Sequence, residues 1–378
     1  MVVIALLLSI VGILEIWTIN KELAYKQFIF LLFSLLFGYL VYRFFKLAYI
    51  RTLIFPFFIS LIFLLILTHI TGEGVNRWIN LKFFNLQPSE LIRVFLPFLF
   101  FYYEPSENFY KVSSIILILL VLVLFQPDLG FAIAIAFVSY IVYFYSNVNR
   151  NFLIFIAFSI IAIFSSFNIL SFILSLFILI TILYYMKSRW YWTLITMLTF
   201  LTIGIITPVI WYNVLKPYQR VRIIAFLNPE IYRQSEAYQV YQSQIAIGSG
   251  KFFGNGYGEG IQKKYGFLPE AHTDFIFASI CEDFGFIGGF SVITLVFILI
   301  LWCLSMLYRI EDLALKRFVL SITLFFVYSF IVNISVNFGL MPTKGYPLLF
   351  ISYGGSHLIV DYISLFLLIW VKNKYLKT

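Results

Sequence analysis

Residues 152–186 read FLIFIAFSIIAIFSSFNILSFILSLFILITILYYM, 35 positions without one charged side chain. That is more than a single crossing uses, since about 20 helical residues span a bilayer core. The run carries its own stop, because Ser165-Ser166-Phe167-Asn168 places turn residues near its middle. We read it as a hairpin of two short helices, 152–166 and 168–186. The choice decides the topology of the whole chain, since one crossing more or fewer here reverses the side of everything that follows.

Apolar runs of the same kind lie near 1–19, 27–42, 52–71, 90–103, 112–126, 129–146, 190–212, 274–308, 317–337 and 351–371. With the hairpin they make twelve membrane segments. The first run has no basic stretch before it and no small-residue cleavage site, so it reads as a span and not as a signal peptide. With the N-terminus inside, short inner segments hold 13 Lys and Arg and short outer ones hold five. Long loops are exempt from this count, and the bias puts both termini in the cytoplasm. A single crossing at 152–186 would spoil it.

Composition agrees. Hydrophobic residues make up 62% of the chain and charged ones 11%, against about 45–50% and about 25% in an ordinary soluble domain. That excludes a soluble fold, and 46 Phe and 26 Tyr exclude a disordered one. The fold class is an all-α polytopic membrane protein of about 10–12 transmembrane helices, a single integral membrane domain with one large extracytoplasmic loop at 213–273. The net charge of +9 follows from topology and does not imply nucleic acid. Cys281 and Cys303 lie 22 residues apart, roughly 33 Å along a helix, too far for a disulfide. Two Cys and three His do not furnish a structural zinc site either.

Ionisable groups inside a membrane are costly, so each is a candidate. In Gln87-Pro88-Ser89-Glu90-Leu91-Ile92-Arg93, Pro88 suits a helix start, and Ser89 or Glu90 can satisfy its open N–H groups. Glu90 and Arg93 share a helix face and can pair, as a structural lock or beside a substrate. Upstream, Arg77 and Trp78 sit in an interfacial loop where Arg77 can face a phosphate. In Gln126-Pro127-Asp128-Leu129-Gly130, Asp128 either caps the next helix or lines a polar cavity.

The outer loop opens with Tyr218-Gln219-Arg220-Val221-Arg222, two Arg suited to bidentate phosphate contact. Tyr238 to Gln244 follows, with Gln242, and then Ala246 to Lys251. Glycines at 254, 256, 258 and 260 read as tight turns near the membrane surface. Gly250-Lys251 lacks the Ser or Thr and the leading Gly of a P-loop, and no dinucleotide motif is present. Leu268-Pro269-Glu270-Ala271-His272-Thr273-Asp274 ends the loop. Where the chain re-enters lipid, Asp274 is either a helix cap, with Thr273, or a desolvated base able to reach an outside substrate. Glu282 and Asp283, two turns further in, can cap, pair with Arg or Lys elsewhere, or line the same cavity. Lys344, between two helix-breaking prolines, places a charge at the outer mouth, and His357 reads as a packed or interfacial histidine.

Taken together, Arg77-Trp78-Ile79, QPSEL at 87–91, QPDLG at 126–130, YQ-x-x-QS at 238–243, AIGSG at 246–250, LPEAHTDFIFA at 268–278 and SYGGS at 352–356 resemble the SEDS family (FtsW, RodA, SpoVE). Pro342-Thr343-Lys344-Gly345 and GFLPEAHTDF lean to the FtsW branch, while Tyr346-Pro347 is partly of the RodA type. The resemblance implies a peptidoglycan glycosyltransferase that polymerises lipid II at the outer face of the bacterial cytoplasmic membrane. The donor is then a glycan on undecaprenyl pyrophosphate, and the acceptor the GlcNAc 4-hydroxyl of lipid II.

By the same resemblance Asp274 matches the catalytic acid, Glu90 matches a motif carboxylate, and Arg93 stands where most members have Lys. Substrate contacts are expected at Arg77, Gln87, Glu90, Arg93, Asp128, Arg220, Arg222, Gln242, His272 and Lys344. Mg²⁺ or Mn²⁺ is the expected cofactor and a class B penicillin-binding protein the expected partner, beside membrane lipid. Family members have ten spans, so 152–186 is an extra hairpin. The alternative, from another class, is a lipid II flippase that forms no bonds; polar residues gathered at the outer face favour the enzyme over it and over a scaffold.

Overall fold

The computed structural model describes residues 1–71, 77–80, 85–235, 237–342 and 345–376. All twelve apolar segments are helical: α1 (Val2–Ile19), α2 (Lys21–Phe44), α3 (Leu47–Thr71), α4 (Ile92–Tyr102), α5 (Phe109–Phe125), α6 (Leu129–Tyr145), α7 (Arg150–Ser165), α8 (Ile169–Tyr185), α9 (Trp190–Val209), α13 (Ile276–Arg309), α14 (Leu313–Asn337) and α15 (Gly355–Tyr375). Between α9 and α13 the outer segment forms α10 (Pro217–Leu227), α11 (Tyr238–Ser249) and α12 (Ile261–Lys264). Among the described residues, seven helices are long and apolar enough to cross a membrane. Helices α5 to α8 are shorter apolar helices of 16 or 17 residues. The chain is a multi-pass membrane protein.

The turn at 165–168 forms as the sequence suggests. Asn168 caps α8, its side chain accepting from Leu170 N and Ser171 N, and α7 ends at Ser165. Asn20, Asn149, Asp128 and Asp312 cap α2, α7, α6 and α14 in the same way. These short polar side chains satisfy N–H groups that a helix start leaves open. The interfacial loop holds an element that sequence did not suggest, a two-residue antiparallel ladder of β1 (Ile79–Asn80) and β2 (Asn85–Leu86).

Two cores divide the described molecule. One gathers α3 to α6, the other α1, α2, α13 and α15, and α14 contributes to both. Helix α4 has only 11 residues and packs against α3, α14 and α15. Helix α2 packs on α1 and α15, whereas α3 packs on α4 and α5. The two helices therefore diverge from their joint at Phe45. Helices α7, α8 and α9 share a third, smaller core. Leu36 and Phe37 of α2, Phe63 of α3, Phe164 of α7 and Phe297 of α13 are exposed, as expected where lipid is the solvent.

Helix α13 spans 34 residues, about 51 Å of helix against a hydrocarbon core of about 30 Å. It is therefore longer than one crossing needs, and it breaks near its start at Gly285, with φ 63° and ψ −157°. The loop after α11 fills the break. Asn255 N and Gly256 N donate to Glu282 O and Asp283 O at 3.0 Å each, while Phe286 N and Ile287 N donate to Lys251 O (2.9 Å) and Phe252 O (3.3 Å). A backbone from elsewhere in the chain thus takes over the hydrogen bonds that the helix gives up.

Glycine is required on both sides of this joint. A Cβ on Gly285 would lie 2.6 Å from Phe252 O, and one on Gly254, at φ +84°, 2.6 Å from Phe284 N. Below it, Lys263 Nζ sits 2.5 Å from both Glu15 Oε1 and Asp283 Oδ2, with all three side chains buried. Asp283 also accepts from Gly258 N (2.6 Å) and Gly260 N (3.2 Å), and Glu282 Oε1 from Gln262 N (2.8 Å). Both acids therefore anchor the loop, and Asp283 also pairs with Lys263. Gly285→Ala is expected to cost ~1–3 kcal/mol from backbone conformation alone and to lower the melting temperature in detergent; an unchanged melting temperature would contradict the joint.

Candidate active site

Asp274 lies in the turn that leads into α13, and its backbone is held from several sides. Tyr353 N donates to His272 O (2.9 Å), and Ser352 Oγ to Thr273 O (2.7 Å). Asn333 Nδ2 and Asn337 Nδ2 both donate to Asp274 O at 2.9 Å. Asn337 Oδ1 then accepts Ala278 N (3.1 Å), and Ser243 Oγ donates to Asn337 O (2.9 Å). Three consecutive carbonyls are thus fixed by α14 and by the segment before α15.

The Asp274 side chain is treated differently. No group among the described residues hydrogen-bonds or pairs with its carboxylate. The expected helix cap does not form: Phe275 occupies the cap position with no side-chain bond, and Thr273 Oγ1 turns back to Glu270 Oε2 (2.8 Å). A carboxylate facing away from the helix start cannot cap it. Gly345 lies against Asp274 so closely that a Cβ there would meet both carboxylate oxygens. Burial, with Glu270 and Asp128 nearby, pushes the Asp274 carboxyl up to about 6, against the opposing pull of Arg77 and His357. Such a group is ionised at neutral pH and is a stronger base than an ordinary aspartate.

Glu90 and Arg93 do pair, at 3.0 Å, but as part of a larger buried cluster. Arg93 Nη1 also contacts His357 Nδ1 at 2.8 Å, and Nη2 bonds Asp361 Oδ1. His357 Nε2 lies 3.1 Å from Asp361 Oδ2, which also accepts Phe350 N at 3.0 Å. The guanidinium uses both terminal nitrogens on different partners, a fork that a lysine lacks. His357 is therefore more than packing: it belongs to the lock between α4 and α15. Neither Ser89 nor Glu90 caps the helix start, contrary to expectation. Pro88 initiates the turn without a donor to satisfy, and Glu90 is drawn to Arg93.

Arg77 Nε donates to Gln126 O (2.9 Å) and Nη2 to Pro127 O, so the guanidinium covers the end of α5. Asp128 caps α6 through Phe131 N (3.2 Å) and accepts Gln87 Nε2 (3.1 Å). The His272 ring lies tilted against Tyr353, with ring centroids 5.6 Å apart, and burial lowers its pKa. Arg220 lies on α10 and Gln242 on α11; no described contact joins either side chain to Asp274. Lys344 and the Arg222 side chain lie outside the described residues. Among the described residues no group of three or more His, Cys, Asp or Glu is disposed to hold a metal ion.

Asn333, Asn337, Asp361 and Gly345 were not among the expected site residues. Two of them carried a signal, since Asn333 and Asn337 are amides at i and i+4 on one face of a largely apolar helix.

A family model described as cell cycle protein, FtsW/RodA/SpoVE, matches residues 1–176 and 168–376. The chain belongs to the FtsW/RodA/SpoVE family. The seam of the two matches falls inside α8, in the hairpin. RodA of Treponema pallidum, a peptidoglycan glycosyltransferase, is 34% identical over 84% of this chain and 82% of its own length. A probable peptidoglycan glycosyltransferase FtsW of Trichlorobacter lovleyi is also 34% identical, over 82% of this chain and 73% of its own. Equal identity to the two names does not separate the branches.

Among solved structures, a chain from a peptidoglycan synthase complex matches with TM-score 0.72 at 22% identity, covering 98% of this chain and 96% of the other. RodA of Thermus thermophilus matches at 0.63 and 19%, covering 100% and 97%. They share the fold. Four strings that marked the FtsW/RodA/SpoVE resemblance meet at the site: QPSEL and QPDLG through Gln87–Asp128, HTDF and SYGGS through Ser352–Thr273, and SYGGS and QPSEL through Ser356 Oγ, 3.1 Å from Gln87 N. Asn337→Ala would strand Ala278 N and remove one of two donors from Asp274 O. Each buried polar group left unsatisfied costs ~1–3 kcal/mol. A clear drop in melting temperature is expected, and a wild-type value would refute the clamp.

Proposed function

We propose that this chain is a peptidoglycan glycosyltransferase that polymerises lipid II at the outer face of a bacterial cytoplasmic membrane, with both termini in the cytoplasm. The relatives' names favour bond formation over transport. The observation that carries the chemistry is the state of Asp274. Glu90, Asp128, Asp283 and Asp361 are occupied by hydrogen bonds or ion pairs, while the Asp274 carboxylate has no such partner among the described residues.

In this reading the acceptor's GlcNAc 4-hydroxyl donates to Asp274. As that oxygen attacks the anomeric carbon of the lipid-linked glycan, Asp274 takes the proton and the C–O bond to the diphosphate breaks. Negative charge grows on the departing diphosphate and calls for cations. Arg77, whose charge acts on Asp274, is one candidate, and Arg220, Arg222 and Lys344 are the further candidates on the outer side. A class B penicillin-binding protein, which crosslinks new strands, is the proposed partner; one structural relative comes from work on the coordination of polymerization and crosslinking.

Asp274→Asn keeps the side chain's shape and removes its basicity. With fluorescent lipid II and the partner transpeptidase, the variant is expected to fold and melt normally and to yield no glycan ladder. A ladder of wild-type intensity would end the role assigned to Asp274.

A further inference from the structure

Helices α7, α8 and α9 pack around a core of their own, built on Phe158, Ala162, Leu179, Leu183 and Phe200. Where α8 passes into α9, a cavity of about 410 Å³ opens between them. Its lining changes along the helices. Ile180, Leu183 and Met197 line the part a turn or two inside, and Lys187, Ser188 and Thr193 line the part at the helix ends. The gradient runs from apolar to cationic, as in an amphiphile's own structure.

Lys187 closes α8 at φ +49°, with Lys187 N donating to Tyr184 O (3.0 Å) and Ser188 N to Leu183 O (3.2 Å). This left-handed closing position is ordinarily glycine's, so here a cationic side chain is kept where the backbone favours none. Ser188 Oγ donates to Asn151 Oδ1 at 2.7 Å, which draws the first turn of α7, with Arg150, to the same corner. Arg189 follows directly.

No Asp or Glu occurs from residue 129 to 229. Arg150, Lys187 and Arg189 make no ion pair among the described residues. Exposed Tyr184, Tyr185 and Trp190 surround them, residue types that settle at headgroup level. Three cations at that depth, with no acid on their own bundle, call for an anion from outside the protein. In a membrane the anion at that level is a lipid phosphate.

We propose that this corner holds one anionic glycerophospholipid, its phosphate against Lys187 and Arg189 with Arg150 beside them, and an acyl chain in the cavity between α8 and α9. The hairpin then serves as a lipid-anchored buttress of the bundle, remote from Asp274.

The test is native mass spectrometry of the full chain in detergent, titrated with phosphatidylglycerol or phosphatidylcholine of identical chains. One phosphatidylglycerol should be retained per protein at activation that strips phosphatidylcholine. Lys187→Gln and Arg189→Gln should each weaken its retention about fivefold, with wild-type melting temperatures. Met197→Trp should fill the cavity and abolish the preference with both charges in place. Glycerol 3-phosphate, a headgroup without chains, should not displace the lipid. Equal retention of the two lipids, an undiminished preference in the double Gln variant, or displacement by glycerol 3-phosphate would each overturn the proposal.

Discussion

The site depends on how the backbone around Asp274 is held. At the carbonyls of residues 272, 273 and 274, polar side chains and a backbone amide from two other segments supply the donors. In surroundings poor in water each of these carbonyls needs a partner, and supplying the partners from α14 and from 352–353 locks three parts of the chain into one register. The side chain is left out of this accounting. Its carboxylate is therefore placed accurately without being neutralised by any described residue, the condition a general base has to meet. Gly345 makes the same point from the other side, since its missing Cβ leaves the space the carboxylate fills.

Two buried ionic clusters support that arrangement without sharing its chemistry. Arg93 joins Glu90, His357 and Asp361, and Asp361 accepts Phe350 N, so α4 and α15 are tied to each other and to the segment that follows Gly345 and Tyr346. Lys263 joins Glu15 and Asp283 where the glycine loop enters the break in α13. Buried charges of this kind contribute little net stability as pairs, but removing one partner is expensive because the other stays buried. Their effect is to fix geometry: one cluster sets the segment facing Asp274, the other sets the helix that begins just after it.

Much of this was legible in the sequence, for physical reasons that differ from place to place. The spans followed from hydropathy and the hairpin from Ser165 to Asn168, because membrane crossing and local turn chemistry are short-range properties. Glu90 with Arg93 followed from helical spacing. Asp274 stood out as an acid at re-entry, but its environment did not: a helix cap was an equally good local reading, and only the turn's actual path excludes it. The contacts that were missed are long-range. Lys263 meets Glu15 across 248 positions and Arg93 meets Asp361 across 268, and no periodicity reports such a meeting. Asn333 and Asn337 were visible as polar residues on one helix face, yet what they hold becomes apparent only once α13 is packed beside α14.

The central claim is that Asp274 works as a base whose proton affinity its surroundings raise. Its charged form is the active one, so a raised pKa moves the acid limb of the rate profile upward in pH. The direct measurement is single-turnover glycan polymerisation from about pH 3 to about pH 8. The rate should climb with pH through an inflection near 6, where the carboxyl titrates, and then level off. A rate flat across that range, or an inflection at the ordinary aspartate value near 3.9, would contradict the account.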